Sequence, residues 1–512
     1  MTLFNVKPAR RIASGFHPDP TICETPQGTY LMVNSSFEFF PGLPVFESED
    51  GEHWHKIGDA MNRPEQFPYE TMDNSQGIYA PTLRYHDGIY YLIVTNVNTG
   101  NMILTSTDPH AGWSDPIWVE GWPGIDPSLF FDDDGTAYIC GNEGGEPDEN
   151  GEREPAGIYL SKIDVTTGTV LTKRKRICGG ITGSNPEGPH MYKRGDTYYL
   201  MWAEGGTESG HMENIARSNN PTGPYEMYPG NPLITNRSTH LTLQAIGHCD
   251  CAHFEDDRTL MVFHGTRNNN EYPAQGWVGR EPYAVWFDWK DGWPELADQS
   301  YDCDLNGHND SLESDVEWIT PGIDSDKQYI VSSGHAMAPA TTNNATITVH
   351  AAAQSFDLTH GAPMIGTRQT DLRFEFGATL ADARALSLGE AGVAVYANSH
   401  HYLTIAVRAS DANGLIRVKA TAHNAGLATI VGTVAVPASA KLRLIVRGDE
   451  SGYDFAVANT SAFAGGEQLL GHVPGKLLSF TNAGGFTGIL LGVYAHGQGN
   501  ITFNNVHYSV QQ

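Results

Sequence analysis

Cysteine, basic charge and long apolar runs are all scarce in this sequence, and each shortage removes a class of protein. The six cysteines in 512 residues, Cys23, Cys140, Cys178, Cys249, Cys251 and Cys303, follow no knot-like spacing. They suit reduced thiols in a cytosol and argue against a disulfide framework. Lysine and arginine number 31 against 60 acidic residues, a formal charge of -29. That field repels phosphate backbones and anionic lipids, so nucleic acid and membrane surfaces are poor partners. A neutral polymer recognised through hydroxyls and aromatic faces is indifferent to it. The opening MTLFNVKPARRIAS carries basic groups with no apolar run behind them. Neither a secretory signal nor a membrane-spanning helix is therefore expected, and the expected location is cytoplasmic. No P-loop, dinucleotide fingerprint or G-x-S-x-G elbow occurs.

A sustained helical period is also missing. Short alternating runs such as Thr29-Tyr30-Leu31-Met32-Val33 and Ile89-Tyr90-Tyr91-Leu92-Ile93-Val94 are separated by Gly, Asp, Asn and Pro clusters, which is strand patterning. The first part repeats itself loosely. GFHPDPTICETPQGTYLMVNS from Gly15, GIYAPTLRYHDGIYYLIVTNV from Gly77 and GIDPSLFFDDDGTAYICGNEG from Gly124 form a series. It continues with GSNPEGPHMYKRGDTYYLMWAEGG from Gly183 and GHCDCAHFEDDRTLMVFHGTRN from Gly247. Each unit opens on Gly and proceeds through a strand, a tight turn and a second strand. Units recurring about every 45 to 65 residues have the period of a four-stranded propeller blade, so five blades are expected. In such a ring the innermost strands line the axis, and the polar openings of the units converge on one pocket.

Near Asp302 to Asp315 the chain turns polar (DCDLNGHNDSLESD) and the repeat stops. Beyond it, LRFEFGATL, AGVAVYANSHHYLTIAVRA, KLRLIVRGD and TGILLGVYAHG read as antiparallel strands of a two-sheet sandwich. The expectation is an all-β chain, with a five-bladed β-propeller over residues 1–315 and a β-sandwich over 316–512. The sandwich offers a surface for self-association, so a homo-oligomer is one expected assembly.

Taken singly, Asp19 in HPDP, Asp126 in GIDPS and Glu187 in EGPH read as turn acids. In series they do more, because HPDP, IDPSLF and EGPHMY open successive units. That order resembles glycoside hydrolase family 43, five-bladed propeller enzymes acting on xylans and arabinans. FEFFPGLPVFESEDGEHW, GIYAPTLRY and GREPYAVWFDWKDGWP are similar to segments of its xylosidase and arabinofuranosidase branches. EAGVAVYANSHHYLTIAVR and TGILLGVYAHG resemble the lectin-like sandwich appended there, which implies a catalytic propeller over 1–315 and a concanavalin-like accessory β-sandwich over 316–512.

The resemblance implies an inverting exo-glycosidase that removes β-D-xylose or α-L-arabinofuranose from arabinoxylan-derived oligosaccharides. Inversion needs a protonated acid and an ionised base about 6.5 to 9.5 Å apart. Carried over, Asp19 is the general base, Glu187 the general acid and Asp126 the acid that raises and orients Glu187. Arg280 binds substrate hydroxyls. Tyr79 either stacks on a sugar face or is a core aromatic, and one of Phe37, Phe39 and Phe40 contacts sugar. His248 is either a buried, satisfied histidine or lies near a calcium held through water, so a structural calcium is possible while no cofactor is required.

Several conspicuous runs read as plain structure. If HCDCAH is a strand, Cys249, Cys251 and His253 share one face and His248 and Asp250 the other, which disfavours a zinc cluster. DDDG at Asp132 to Gly135 reads as a hairpin turn, GGEPDENGEREP as an exposed loop, and Lys173 to Arg176 as a solvated strand end. Two rival functions stand beside the main one. A fructan-cleaving retaining propeller enzyme would open on W-x-N-D-P-N-G, where this chain has GFHPDPT. A catalytically silent lectin would have no use for three retained acids.

Overall fold

A computed structural model of the chain describes residues 5–66, 72–143, 155–182, 184–254, 256–269, 275–296, 299–303, 318–321, 346–351, 356, 364–382, 388–408, 414–437, 441–459, 463 and 466–511. The boundary placed at 315/316 and most of the acidic run from Gly144 to Pro155 lie outside the described residues.

The first region forms five antiparallel sheets in succession. Their first strands are β1 (Thr21–Glu24), β2 (Ile78–His86), β3 (Ile125–Phe131), β4 (Glu187–Arg194) and β5 (Leu243–Ala252). Each of these strands pairs antiparallel with the next strand of its sheet, with the tightest turns in the second and fourth sheets. His86 pairs with Ile89 across Asp87 and Gly88, both at positive φ, which matches the twist of the flanking strands. Asp132 to Gly135 likewise lie in the hairpin joining the paired Phe131 and Ala137. Lys175 and Arg176 sit exposed at the start of the strand Lys175–Cys178, and Arg174 reaches Glu143 at 2.7 Å.

The first strands touch in cyclic order, β1 to β2 to β3 to β4 to β5 and back to β1. Arg10–Arg11, from the start of the chain, completes the last sheet by pairing with Arg280–Lys290, so the ring closes with both its ends in one sheet. An ion pair crosses its interior: Arg84 on β2 donates to Asp250 on β5 at 2.8 and 3.0 Å. Asp250 also accepts from Thr21 Oγ1 on β1 (2.6 Å) and Tyr192 OH on β4 (2.6 Å). A buried charge is tolerated only when paired and saturated with hydrogen bonds, and this one ties four of the five strands together. Cys249 and Cys251 point the other way into an apolar cluster with Met261 and Phe263, as strand alternation requires. Among the described residues no group of three or more His, Cys, Asp or Glu could hold a metal.

The second region is two six-stranded antiparallel sheets. Phe374, Phe376, Val393, Val395, Leu444 and Val446 fill the space between them. Alternate residues of Leu388–Asn398 point out of the sandwich. Ala394 and Tyr396 pack with Phe16, Phe37 and Phe39 of the propeller. This strand is buried on both faces and reads as a continuous apolar run. Among the described residues no helix is long and apolar enough to cross a membrane.

Candidate active site

The openings of the inner strands are irregular, and the irregularity aims the polar side chains. Register shifts fall between Ile125 and Ser128 on β3, Glu187 and His190 on β4, and at Gly247 on β5. Asp19, Asp126, Gly188 and His248 all adopt positive φ between 51° and 55°. A bulge of this kind bends the strand and re-aims one side chain. For a non-glycine residue the left-handed conformation costs about 1 to 3 kcal/mol and persists where the surroundings over-determine it. Gly188 is obligatory, since a Cβ there would lie 2.9 Å from His248 Nε2.

Of the residues singled out from the sequence, Asp19, Asp126, Glu187, Arg280, Tyr79, Phe37 and His248 line one pocket of about 390 Å³ including its open mouth. Phe39 and Phe40 do not; both are fully buried in core clusters. Asp19 is gripped at both oxygens. Arg280 donates to Oδ1 at 2.6 Å and Ser35 Oγ to Oδ2 at 2.6 Å. Its backbone N–H donates to His264 Nδ1 at 3.0 Å. Burial alone would raise the Asp19 carboxyl, but the Arg280 guanidinium, then the His264 and His248 imidazoles, hold it well below the usual carboxylate range.

Glu187 goes the other way. Burial pushes its carboxyl up, and the charges of Asp126 and Asp19 push it further; its side chain retains 19% exposure toward the pocket. Burial raises Asp126 too, but Asp126 faces His248 and accepts the Gly188 N–H at 3.0 Å. A hydrogen bond to the charged form favours it, so within this coupled pair the proton belongs on Glu187. The pocket thus sets a carboxylate against a protonated carboxyl, the two states an acid and base pair must hold before reaction.

The aromatic wall comes from both domains. Phe37 packs on Tyr79 with ring centroids 4.9 Å apart and stacks on Phe486 at 5.9 Å. Phe486 is a sandwich residue whose carbonyl accepts from Arg280 (3.2 Å) and whose N–H donates to Ser75 Oγ (2.8 Å). Tyr79 OH is committed to the Ser75 carbonyl at 2.9 Å, which leaves its ring for contact. Sequence reasoning missed Phe486, Thr207, Ser35 and His264. Thr207, next to the noted EGG run, accepts from Arg280 at 3.1 Å. Around His248 stand the carboxyls of Asp19, already held by Arg280, and of Asp126, with the His264 ring and Gly188. Calcium takes six to eight oxygens, and these groups do not compose such a cage.

Buried carboxyls of split acidity, set beside aromatic rings in one pocket at the axis of a propeller, define a glycoside hydrolase. Residues 9–294 match the model of glycosyl hydrolases family 43, and residues 333–509 match the beta xylosidase C-terminal concanavalin A-like domain. A non-reducing end alpha-L-arabinofuranosidase of Bacteroides ovatus is 33% identical, over 96% of this chain and 92% of its own. A xylosidase/arabinosidase of Butyrivibrio fibrisolvens is 30% identical, over 97% of each. Among solved structures, xylan beta-1,4-xylosidase from Bacillus halodurans superposes with a TM-score of 0.84 at 25% identity, over 97% of this chain and 99% of the other. The chain belongs to glycosyl hydrolases family 43.

Proposed function

We propose that this is an inverting exo-acting glycosidase that releases terminal β-D-xylose or α-L-arabinofuranose from arabinoxylan-derived oligosaccharides. The observation that carries the reading is the opposite treatment of two carboxyls in one pocket: Asp19 held ionised by Arg280, Glu187 held protonated by burial and Asp126. Water placed beside Asp19 gives up a proton to that carboxylate as its oxygen bonds to the anomeric carbon. The glycosidic C–O bond breaks on the opposite face, and the departing oxygen takes the Glu187 proton. Both groups then exchange protons with solvent and the cycle restarts. Arg280 keeps Asp19 oriented and presents its guanidinium to sugar hydroxyls.

Exo action is supported by the name of the Bacteroides ovatus relative, which acts at non-reducing ends; Phe37, Tyr79 and Phe486 give the pocket an aromatic lining on which a sugar face can rest. The names of the relatives support a pentose, and they divide between xylose and arabinose as the sequence reading does. Aryl β-D-xylopyranoside, aryl α-L-arabinofuranoside, xylo-oligosaccharides and arabino-oligosaccharides form the test. The expected result is one pentose released per cut from non-reducing ends. No turnover on any of them, with glycan binding measurable by calorimetry, would leave a lectin.

A further inference from the structure

Behind Glu187 lies a histidine to which the mechanism above gives no task. His211, just before the strand Met212–Ser218, is fully buried. Its Nδ1 stands 2.9 Å from the Ala245 carbonyl oxygen. A carbonyl only accepts, so Nδ1 carries the hydrogen, and in the neutral ring Nε2 keeps a lone pair. Burial holds the ring neutral by pushing its pKa down to about 3. Nε2 has no hydrogen-bond partner among the described residues, and it faces Glu187 Oε1 at 3.8 Å.

The ring is placed with care. A Cβ on Gly247 would lie 2.8 Å from His211 Cε1, so the bulge on β5 leaves room for the imidazole. On one side His264 stacks on it with centroids 5.1 Å apart and an interplanar angle of 27°. A buried nitrogen with no partner is costly, and the carboxyl of Glu187 in its protonated form, 3.8 Å away, can satisfy the lone pair.

We propose that His211 is a positioning residue for Glu187: in the free enzyme its Nε2 accepts a hydrogen bond from the Glu187 O–H and stores the proton there until substrate arrives. This rests on Glu187 being the general acid. The separation must close by roughly 1 Å, and catalytic hydrogen bonds often tighten only as the working complex forms. On substrate binding the glycosidic oxygen replaces Nε2 as acceptor. After the proton leaves, the ionised Glu187 faces a lone pair, which favours its reprotonation.

Other groups also act on Glu187. Asp126 and Asp19 raise its carboxyl and Arg280 lowers it. Glu213 is buried, which holds its carboxyl well above the ordinary range, and its Oε2 accepts the Cys249 N–H. His211 itself faces His248, Arg280 and Asp19.

The test is His211→Phe, which preserves a ring against His264 and removes the acceptor. A hydrogen bond of about 1 kcal/mol to the neutral acid corresponds to roughly 0.7 of a pK unit. The alkaline limb of kcat/KM should therefore move down by about 0.5 to 1 pH unit, and the limb of kcat, where substrate has taken the proton, should move less. An unmoved limb overturns the proposal. So does an upward shift, which would mean a protonated His211 donating to a carboxylate. The wild-type enzyme gives a second measurement should the variant not fold: 15N NMR of the histidines should find Nε2 of His211 unprotonated and responsive as Glu187 titrates. A protonated or unresponsive Nε2 rejects it. Glu187→Gln separates the two readings, because an alkaline limb that survives it removes Glu187 as the acid, whereas a limb lost there but unmoved in His211→Phe removes only the role of His211.

Discussion

Replacing Asp126 by asparagine removes one negative charge beside Glu187 while keeping an oxygen to accept the Gly188 N–H now found at 3.0 Å. The structure places the proton of the pair on Glu187, so wild-type Asp126 acts as a fixed charge that opposes loss of that proton. Two unit charges interact by about 4 kcal/mol at about 4 Å and an effective dielectric of about 20, and by proportionally less at greater separation, so loss of one is expected to be worth about 1 to 2 pK units. Without that charge the Glu187 pKa falls, and the acid loses its proton at lower pH. The alkaline limb of kcat/KM should move down by about 1 to 2 units, measured on xylobiose or an arabino-oligosaccharide whose poor leaving group needs the acid. Good nitrophenyl leaving groups should lose less activity at every pH. A limb that stays in place, or moves up, would refute the assignment of charge to Asp126 and proton to Glu187.

Three further outcomes follow from the same geometry. Glu187→Ala should lower kcat on natural oligosaccharides by at least about 100-fold more than on nitrophenyl glycosides; equal losses would make Glu187 structural. Arg280→Met removes the cation that holds the Asp19 carboxyl down, so the base ionises only at higher pH and the acidic limb of kcat/KM should rise, by about a unit or more. An unchanged acidic limb would show that Asp19 is not the group it reports. Glu38 is buried at the domain contact, with burial pushing its carboxyl up to about 8 and Oε1 making no hydrogen bond among the described residues. A carboxyl raised in the folded state contributes stability that is complete below its ordinary pKa and lost as pH rises toward 8. Glu38→Gln should therefore flatten the fall of Tm between about pH 5 and 8; parallel Tm curves for the two proteins would contradict this.

Much of the site was legible because it is built from local pieces that repeat. Each unit opening is a short polar motif followed by a hairpin, and ring closure carries Asp19, Asp126, Glu187 and His248 to one axis although they are spread over 230 residues. Strand alternation in HCDCAH separated Asp250 from Cys249 and Cys251 for the same local reason. The acids of the sequence were visible; their unequal environments were not. Ser35, His264 and Arg280 surround Asp19 from three different parts of the chain, and no spacing announces such a meeting. Phe486 was hidden more deeply. It lies in SFTNAGGFTG, a stretch with the composition of an ordinary loop, and acquires its place only because the outer face of the sandwich sheet packs against Phe16, Phe37 and Phe39. Among Phe37, Phe39 and Phe40 the sequence left the choice open. The positive φ of Phe37 turns its ring to the pocket while its neighbours fill the core.

The central claim is that Asp19 activates water on one face of the sugar while Glu187 protonates the leaving oxygen on the other. The direct measurement is proton NMR of the first sugar released from a pentoside by the wild-type enzyme, recorded before mutarotation scrambles the anomers. A β-D-xyloside should yield α-D-xylose first, and an α-L-arabinofuranoside should yield β-L-arabinofuranose first. Release with retained configuration would contradict the account, because it requires a carboxylate bonded to the sugar in place of a water held by Asp19.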